Sequence, residues 1–224
     1  MSTAQIQALT TSQIVALATN DMAAFSTTQL GALTTNQVQA IETRDLAVLT
    51  STQISAGLTT TQIGALTTSQ ISSLTTAQTA SLTTTQVGAI TTADLAALKT
   101  SQIAALTTNQ VSAGLTTNQI VALTTSQAGA LTTAQTAVLT TNQVAALETA
   151  DLAAFKTSQV AALTTSQISA GLKTSQLASM TTAQIAALTT SQVATGLTTN
   201  QIVALTTAQA GALTTGQVGA LTTN

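Results

Sequence analysis

The chain has 224 residues, 44% of them hydrophobic, with four Lys and Arg against six Asp and Glu for a formal charge of −2. It contains no Cys, His, Trp, Tyr or Pro, which excludes a disulfide scaffold, thiolate metal sites and the commonest general base. Four cations leave no electrostatic footprint for nucleic acid or anionic lipid, and the apolar content is too high for a charged, disordered tail.

The chain begins Met1-Ser2-Thr3-Ala4-Gln5, with no basic region followed by an apolar core, so no signal peptide is read there. From this start one octapeptide, Leu-Thr-Thr-x-Gln-Ile/Val-x-Ala, is written about 27 times without linker or composition shift. Residues 1–224 are therefore read as a single continuous repeat array. Polar residues break the apolar runs within about five positions, against roughly 20 needed for a membrane span, so no membrane insertion is expected.

The copies show what each position demands. The first is apolar, with Phe25, Ile41, Ile90, Phe155 and Met180 as variants of Leu. The second is loose, admitting Glu42, Lys99, Glu148, Lys156 and Lys173, and so is expected to face water. The third is Thr except at Ser51, and never Val, which points to a retained hydroxyl. The fifth is Gln except at Asp21, Asp45, Asp94 and Asp151; these share an acceptor oxygen, so acceptance is read as the common requirement. The sixth is apolar, relaxed to Thr79, Ala128, Thr136 and Ala210.

A continuous helix fails, because eight residues at about 100° each let the apolar positions drift some 80° per repeat. A half-buried strand fails because neither face would be apolar. A helix restarted in every octad fits. Leu-Thr-Thr-x-Gln-Ile reads as apolar N′, Thr N-cap, Gln at N3 and apolar N4, a capping box with a hydrophobic staple. The stricter third-position Thr is an alternative cap. Segments of roughly five to seven residues cannot stand alone in water and must stack. The fold class expected is all-α, a solenoid of very short capped helices whose first and sixth positions line a narrow core. A β-solenoid, favoured by the Thr, Ile and Val content, is the alternative.

Further along, one Gly is added to the octad at Gly57, Gly114 and Gly171, at intervals of 57 residues, and Asp94 and Lys99 recur as Asp151 and Lys156. Two readings stand. Either the gene was duplicated in segments, or seven repeats make one superhelical turn, with Gly relieving strain through positive φ. On the second reading Glu42, Lys99 and Lys156 stack along the axis. Gly196, only 25 residues after Gly171, breaks the period. The chain stops at Leu221-Thr222-Thr223-Asn224, inside a motif, and reads as a segment of a longer chain.

The six carboxylates are Asp21, Glu42, Asp45, Asp94, Glu148 and Asp151. Four sit at the Gln position, where capping accounts for them, and none forms a Ca²⁺ loop. Met1, Met22 and Met180 are scattered. No catalytic, cofactor-binding or metal residue is assigned, and neither an enzyme nor a small-molecule substrate is expected.

The segment Leu-Thr-x-x-Gln-Val resembles the first helix of the plant-pathogen TAL effector repeat, which implies the capping logic alone. Runs of the type Ala-Leu-Thr-Thr-Ala-Gln, and Leu-Glu-Thr-Ala-Asp-Leu-Ala-Ala at Leu147 to Ala154, resemble the octapeptide arrays of very large repetitive bacterial exoproteins. Such proteins often carry haem-utilisation or adhesion labels. The resemblance implies a secreted or surface-attached fibrous protein; haem ligation does not follow, because His, Cys and Tyr are missing. The function expected is structural: an extracellular fibre, stalk or matrix filament whose partner is a second copy of itself. A Thr-row binding surface, adhesive or ice-binding, is the alternative.

Overall fold

The computed structural model describes residues 1–221; the expected break in the motif at Thr222–Asn224 lies outside the described residues. The chain divides into two compact units, Met1–Leu115 and Thr116–Asn224, built on one plan. Each is an all-α solenoid with one very short helix per octad. Among the described residues there are 23 α-helical and four π-helical elements and no strand, which overturns the β-solenoid alternative.

The local rule is visible at Thr60–Ala65. Thr59 is extended, with φ −75° and ψ 163°, and its side chain accepts from the Gln62 N–H while the Gln62 side chain accepts from the Thr59 N–H. That reciprocal pair satisfies two of the donors that a helix start leaves open. The cap is thus the second position, not the third. Seven residues after Thr59, Leu66 turns extended, with ψ 144°, and its N–H closes the helix on the Ile63 carbonyl at 3.2 Å. The extended Leu-Thr pair then reorients the chain for the next helix, and among the described residues none has positive φ.

In the first unit, helix Thr27–Ala32 packs on Thr3–Gln7, three repeats before it, and on Gln53–Gly57, three repeats after it. The Gln62 side chain reaches back 29 and 32 residues, to Leu33 and Leu30. In the second unit Thr117–Val121 packs on Thr141–Ala146, again three repeats on, and Gln159 reaches back 28 and 31 residues to Leu131 and Ala128. A turn therefore takes between three and four repeats. The expected seven is corrected: 57 residues make two turns. The reason is packing, since a seven-sided ring would enclose a hole that Leu, Ile and Val cannot fill to protein density. The stacked charges fall with it. Glu42 pairs with Arg44 at 2.5 Å, and no pair with Lys99 forms.

The core runs along each solenoid axis. Sixth-position residues such as Ile54, Ile71, Val87 and Val144 are 0% exposed, and first-position Leu66, Leu74 and Leu147 are 2–3% exposed. Sixth-position Thr79 and Thr136 are equally buried, their hydroxyls donating to the Thr75 and Thr132 carbonyls at 3.0 and 2.9 Å.

The extra glycines also work differently from expectation. Gln53–Gly57, Gln110–Gly114, Gln167–Gly171 and Gln192–Gly196 are single π-helical turns that absorb the ninth residue. The Leu115, Leu172 and Leu197 N–H groups each reach the carbonyl five residues back at 2.9 Å. No Gly has positive φ. What excludes a side chain at Gly171 is close approach: a Cβ there would lie 2.9 Å from the Thr141 carbonyl and 3.1 Å from the Val144 Cβ.

Candidate functional site: the glutamine ladder and its four carboxylates

The one constellation repeated in every interior turn is the fifth-position glutamine. Gln70 is 2% exposed. Its Oε1 accepts from the Thr67 N–H at 2.9 Å, and its Nε2 donates to the Val38 and Ile41 carbonyls of the preceding turn at 2.8 and 2.7 Å. Gln78, Gln184 and Gln209 repeat the same bonds. Each glutamine thus starts its own helix with one end and ties down the turn before it with the other. Both ends matter energetically, because a buried donor or acceptor left without a partner costs about 1–3 kcal/mol.

The reading of this position as an acceptor alone is therefore incomplete. The donor half was present as a signal: Glu, equal in length and in acceptor capacity, never stands at the fifth position. At most copies the position keeps an amide, and the four exceptions are all Asp.

The family model described as the ALTTAQ repeat matches residues 14–43, 38–76, 87–125, 144–172 and 196–223, most of the chain. The chain belongs to the ALTTAQ repeat family. No curated protein matches it.

Within this ALTTAQ array the four aspartates are where the ladder loses its amide, and each meets a different environment. Asp21 is exposed, in the first turn, and starts helix Thr19–Ala23 behind Ala18, which offers no cap. Asp45 is 1% exposed and accepts from the Thr19 hydroxyl at 2.6 Å, with the Arg44 guanidinium at 3.7 Å. Asp94 is 6% exposed and accepts from the Thr91 hydroxyl at 2.5 Å, while its own N–H donates back to Thr91 at 3.1 Å.

Asp151 has none of these. It is 2% exposed, and its Oδ2 has no hydrogen-bond partner. Glu148 replaces Thr at its N-cap and offers no hydroxyl. Burial first, and then the Glu148 carboxylate, push the Asp151 pKa up from 3.8 to about 6. Glu148 lies in a surface hollow with Lys173, yet no ion pair joins the two. Among the described residues the ion pairs are those of Arg44 with Glu42 and Asp45. The carboxylates do not converge: no three acidic residues gather among the described residues. Among the described residues no helix is long and apolar enough to cross a membrane.

Proposed function

We propose that this ALTTAQ chain is a structural element, a stretch of extracellular fibre, stalk or matrix filament that lengthens by stacking turn upon turn, and that it carries out no chemistry of its own. The observation that carries the reading is the glutamine ladder. Every turn is held by the same contacts to the turn before, so the property the repeat encodes is extension along an axis. Near-identical turns suit a part whose output is length.

In the purified 224-residue chain, the end turns offer surfaces on which either further repeats of a longer chain or a second copy would stack. Gln5 and Gln13 are exposed, and their Oε1 atoms cap their own helices. In later repeats the matching Nε2 holds carbonyls of a previous turn. At the other end Val203 and Val218 are 80% and 53% exposed, and Ile202, Leu205, Leu213 and Leu221 are only half-buried. One end offers amide donors, the other carbonyls and apolar surface, and a second copy supplies the complement of each. Placement outside the cell rests on the resemblance to repetitive exoproteins.

The test is negative-stain microscopy of the purified 224-residue chain across a concentration series. Filaments or end-to-end strings lengthening with concentration are expected. Isolated compact particles at high concentration, with sedimentation showing monomers only, would overturn the reading.

A further inference from the structure

Asp151 is a buried acid that the structural role does not require, and its surroundings define what it does. Its frame is set by its neighbours along the ladder. Gln159 bonds carbonyls 28 and 31 residues back, at Leu131 and Ala128, and Gln167 does the same at Leu139 and Thr136. On that spacing the carbonyls across from position 151 are those of Leu123 and Ile120, and the Asp151 side chain, one methylene shorter than glutamine, leaves its Oδ2 without a partner. A carboxylate offers nothing to a carbonyl, whereas a neutral carboxylic acid carries one O–H donor, half of what the amide supplies.

We propose that Asp151 is a proton-operated joint in the second unit: with one proton taken from solvent, its Oδ2 hydroxyl donates to the preceding turn as a ladder glutamine does, and on losing that proton it releases the turn and loosens helix Thr149–Ala153.

The two internal counterparts show why the switch sits here alone. Asp94 keeps a hydroxyl donor in Thr91, and Asp45 keeps Thr19 with Arg44 alongside. At Asp151 the N-cap is Glu148 and the residue in the Arg44 position is Ala150. Among the elements packed on Thr149–Ala153, Thr125–Ala128 brings no titratable side chain, and Thr174–Ser179 brings only its N-cap Lys173, which stands at the surface hollow beside Glu148. Lys156 begins the next helix and makes no ion pair with Asp151. The one charge acting on the site is thus Glu148, which favours the protonated form, as burial does.

The direction of the effect follows from proton linkage. An acid whose folded pKa is raised holds its proton more tightly in the folded state. The stabilisation is complete below the unfolded value of 3.8 and is lost as pH rises through about 6. Two pKa units correspond to roughly a hundredfold in the local opening equilibrium.

The experiment is a carboxyl ¹³C titration of the full chain, with amide hydrogen exchange of residues 152–154 corrected for intrinsic rates. The expected result is an Asp151 midpoint near 6, and protection at 152–154 roughly a hundredfold higher at pH 4 than at pH 7.5. Asp151→Gln should remove the difference by holding those amides protected at both pH values. Glu148→Thr, which restores the hydroxyl found at Thr91, should move the Asp151 midpoint downward. An Asp151 midpoint at its ordinary value of 3.8 would overturn the proposal. So would equal pH dependence of protection in the wild type and Asp151→Gln, or an unmoved midpoint in Glu148→Thr.

Discussion

Gln70 and Gln13 occupy the same octad position, cap their helices through the same two bonds, and differ in one respect. Gln70 has a turn before it and Gln13 does not. The first is 2% exposed and holds the Val38 and Ile41 carbonyls; the second is exposed and serves its own helix alone. The octad is therefore the unit of local structure, and the turn is the unit of stability. Helices of five or six residues are unstable singly, so what keeps them folded is the contact each makes with repeats one turn away. This is the nearest-neighbour behaviour of solenoids, in which interior repeats carry two interfaces and terminal repeats one.

The sharpest way to break the comparison is to remove the donor and leave the acceptor. Gln70→Glu puts a carboxylate against two carbonyls in a buried site, and an uncompensated buried charge costs about 3–5 kcal/mol. Gln13→Glu places the same charge in solvent at a helix start, where a negative group is favourable, and should change stability by less than about 1 kcal/mol. Urea midpoints of the two variants at pH 7 make the test. Lowering the pH should recover stability in Gln70→Glu and, if anything, slightly lower that of Gln13→Glu, because only the buried acid gains from protonation. Equal effects would mean that the bonds between turns add nothing.

The next contrast uses glycine. Gly171 is buried, with the Thr141 carbonyl 2.9 Å and the Thr141 Cα 3.1 Å from where a Cβ would stand. Both neighbours are backbone and cannot swing aside. Gly171→Ala should therefore cost about 1–3 kcal/mol as overpacking. Gly219, within helix Thr215–Ala220, has nothing within 4 Å of its Cβ direction. Gly219→Ala should stabilise by about 0.5–1 kcal/mol, the usual gain for replacing Gly inside a helix. Thermal melts of the two variants should move in opposite directions. If both fall, the last turn is packed more tightly than its exposure indicates.

How much of this was legible in the sequence depends on the distance between partners. The short helices, their caps and the two apolar positions were readable, because Thr59 and Gln62 or Leu66 and Ile71 stand within five residues of each other. The turn length was not, since it is decided by how wide a ring the Leu and Ile side chains can fill. The missing Glu hinted at a donor, but the partners of the Gln70 amide were hidden for the same reason: Val38 and Ile41 are 32 and 29 residues away. The extra Gly of Gln167–Gly171 was noticed for its period, yet its cause is an approach to Thr141, 30 residues back. The near-invariant Thr of the third position has no explanation in the structure.

That last point sets the smallest and most discriminating comparison, between two adjacent threonines. Thr124 is extended, at φ −77° and ψ 155°, and its hydroxyl accepts from the Gln127 N–H at 3.3 Å. Thr125 is the first residue of the helix Thr125–Ala128 and is exposed. Substitution by Val keeps the shape and β-branching of either residue and removes only the hydroxyl, so backbone preference drops out of the comparison. Thr124→Val should cost about 0.5–2 kcal/mol, the range for losing an N-cap. Thr125→Val should stay within about 0.5 kcal/mol, as surface substitutions do. Thr124→Ser should recover most of the loss, since Ser caps as well as Thr. Urea midpoints resolve differences of this size. If Thr125→Val were the costlier of the pair, the cap would have to be reassigned to the third position. The strictness of that position would then have its cause, and the reciprocal Thr–Gln bonds at the second position would be incidental.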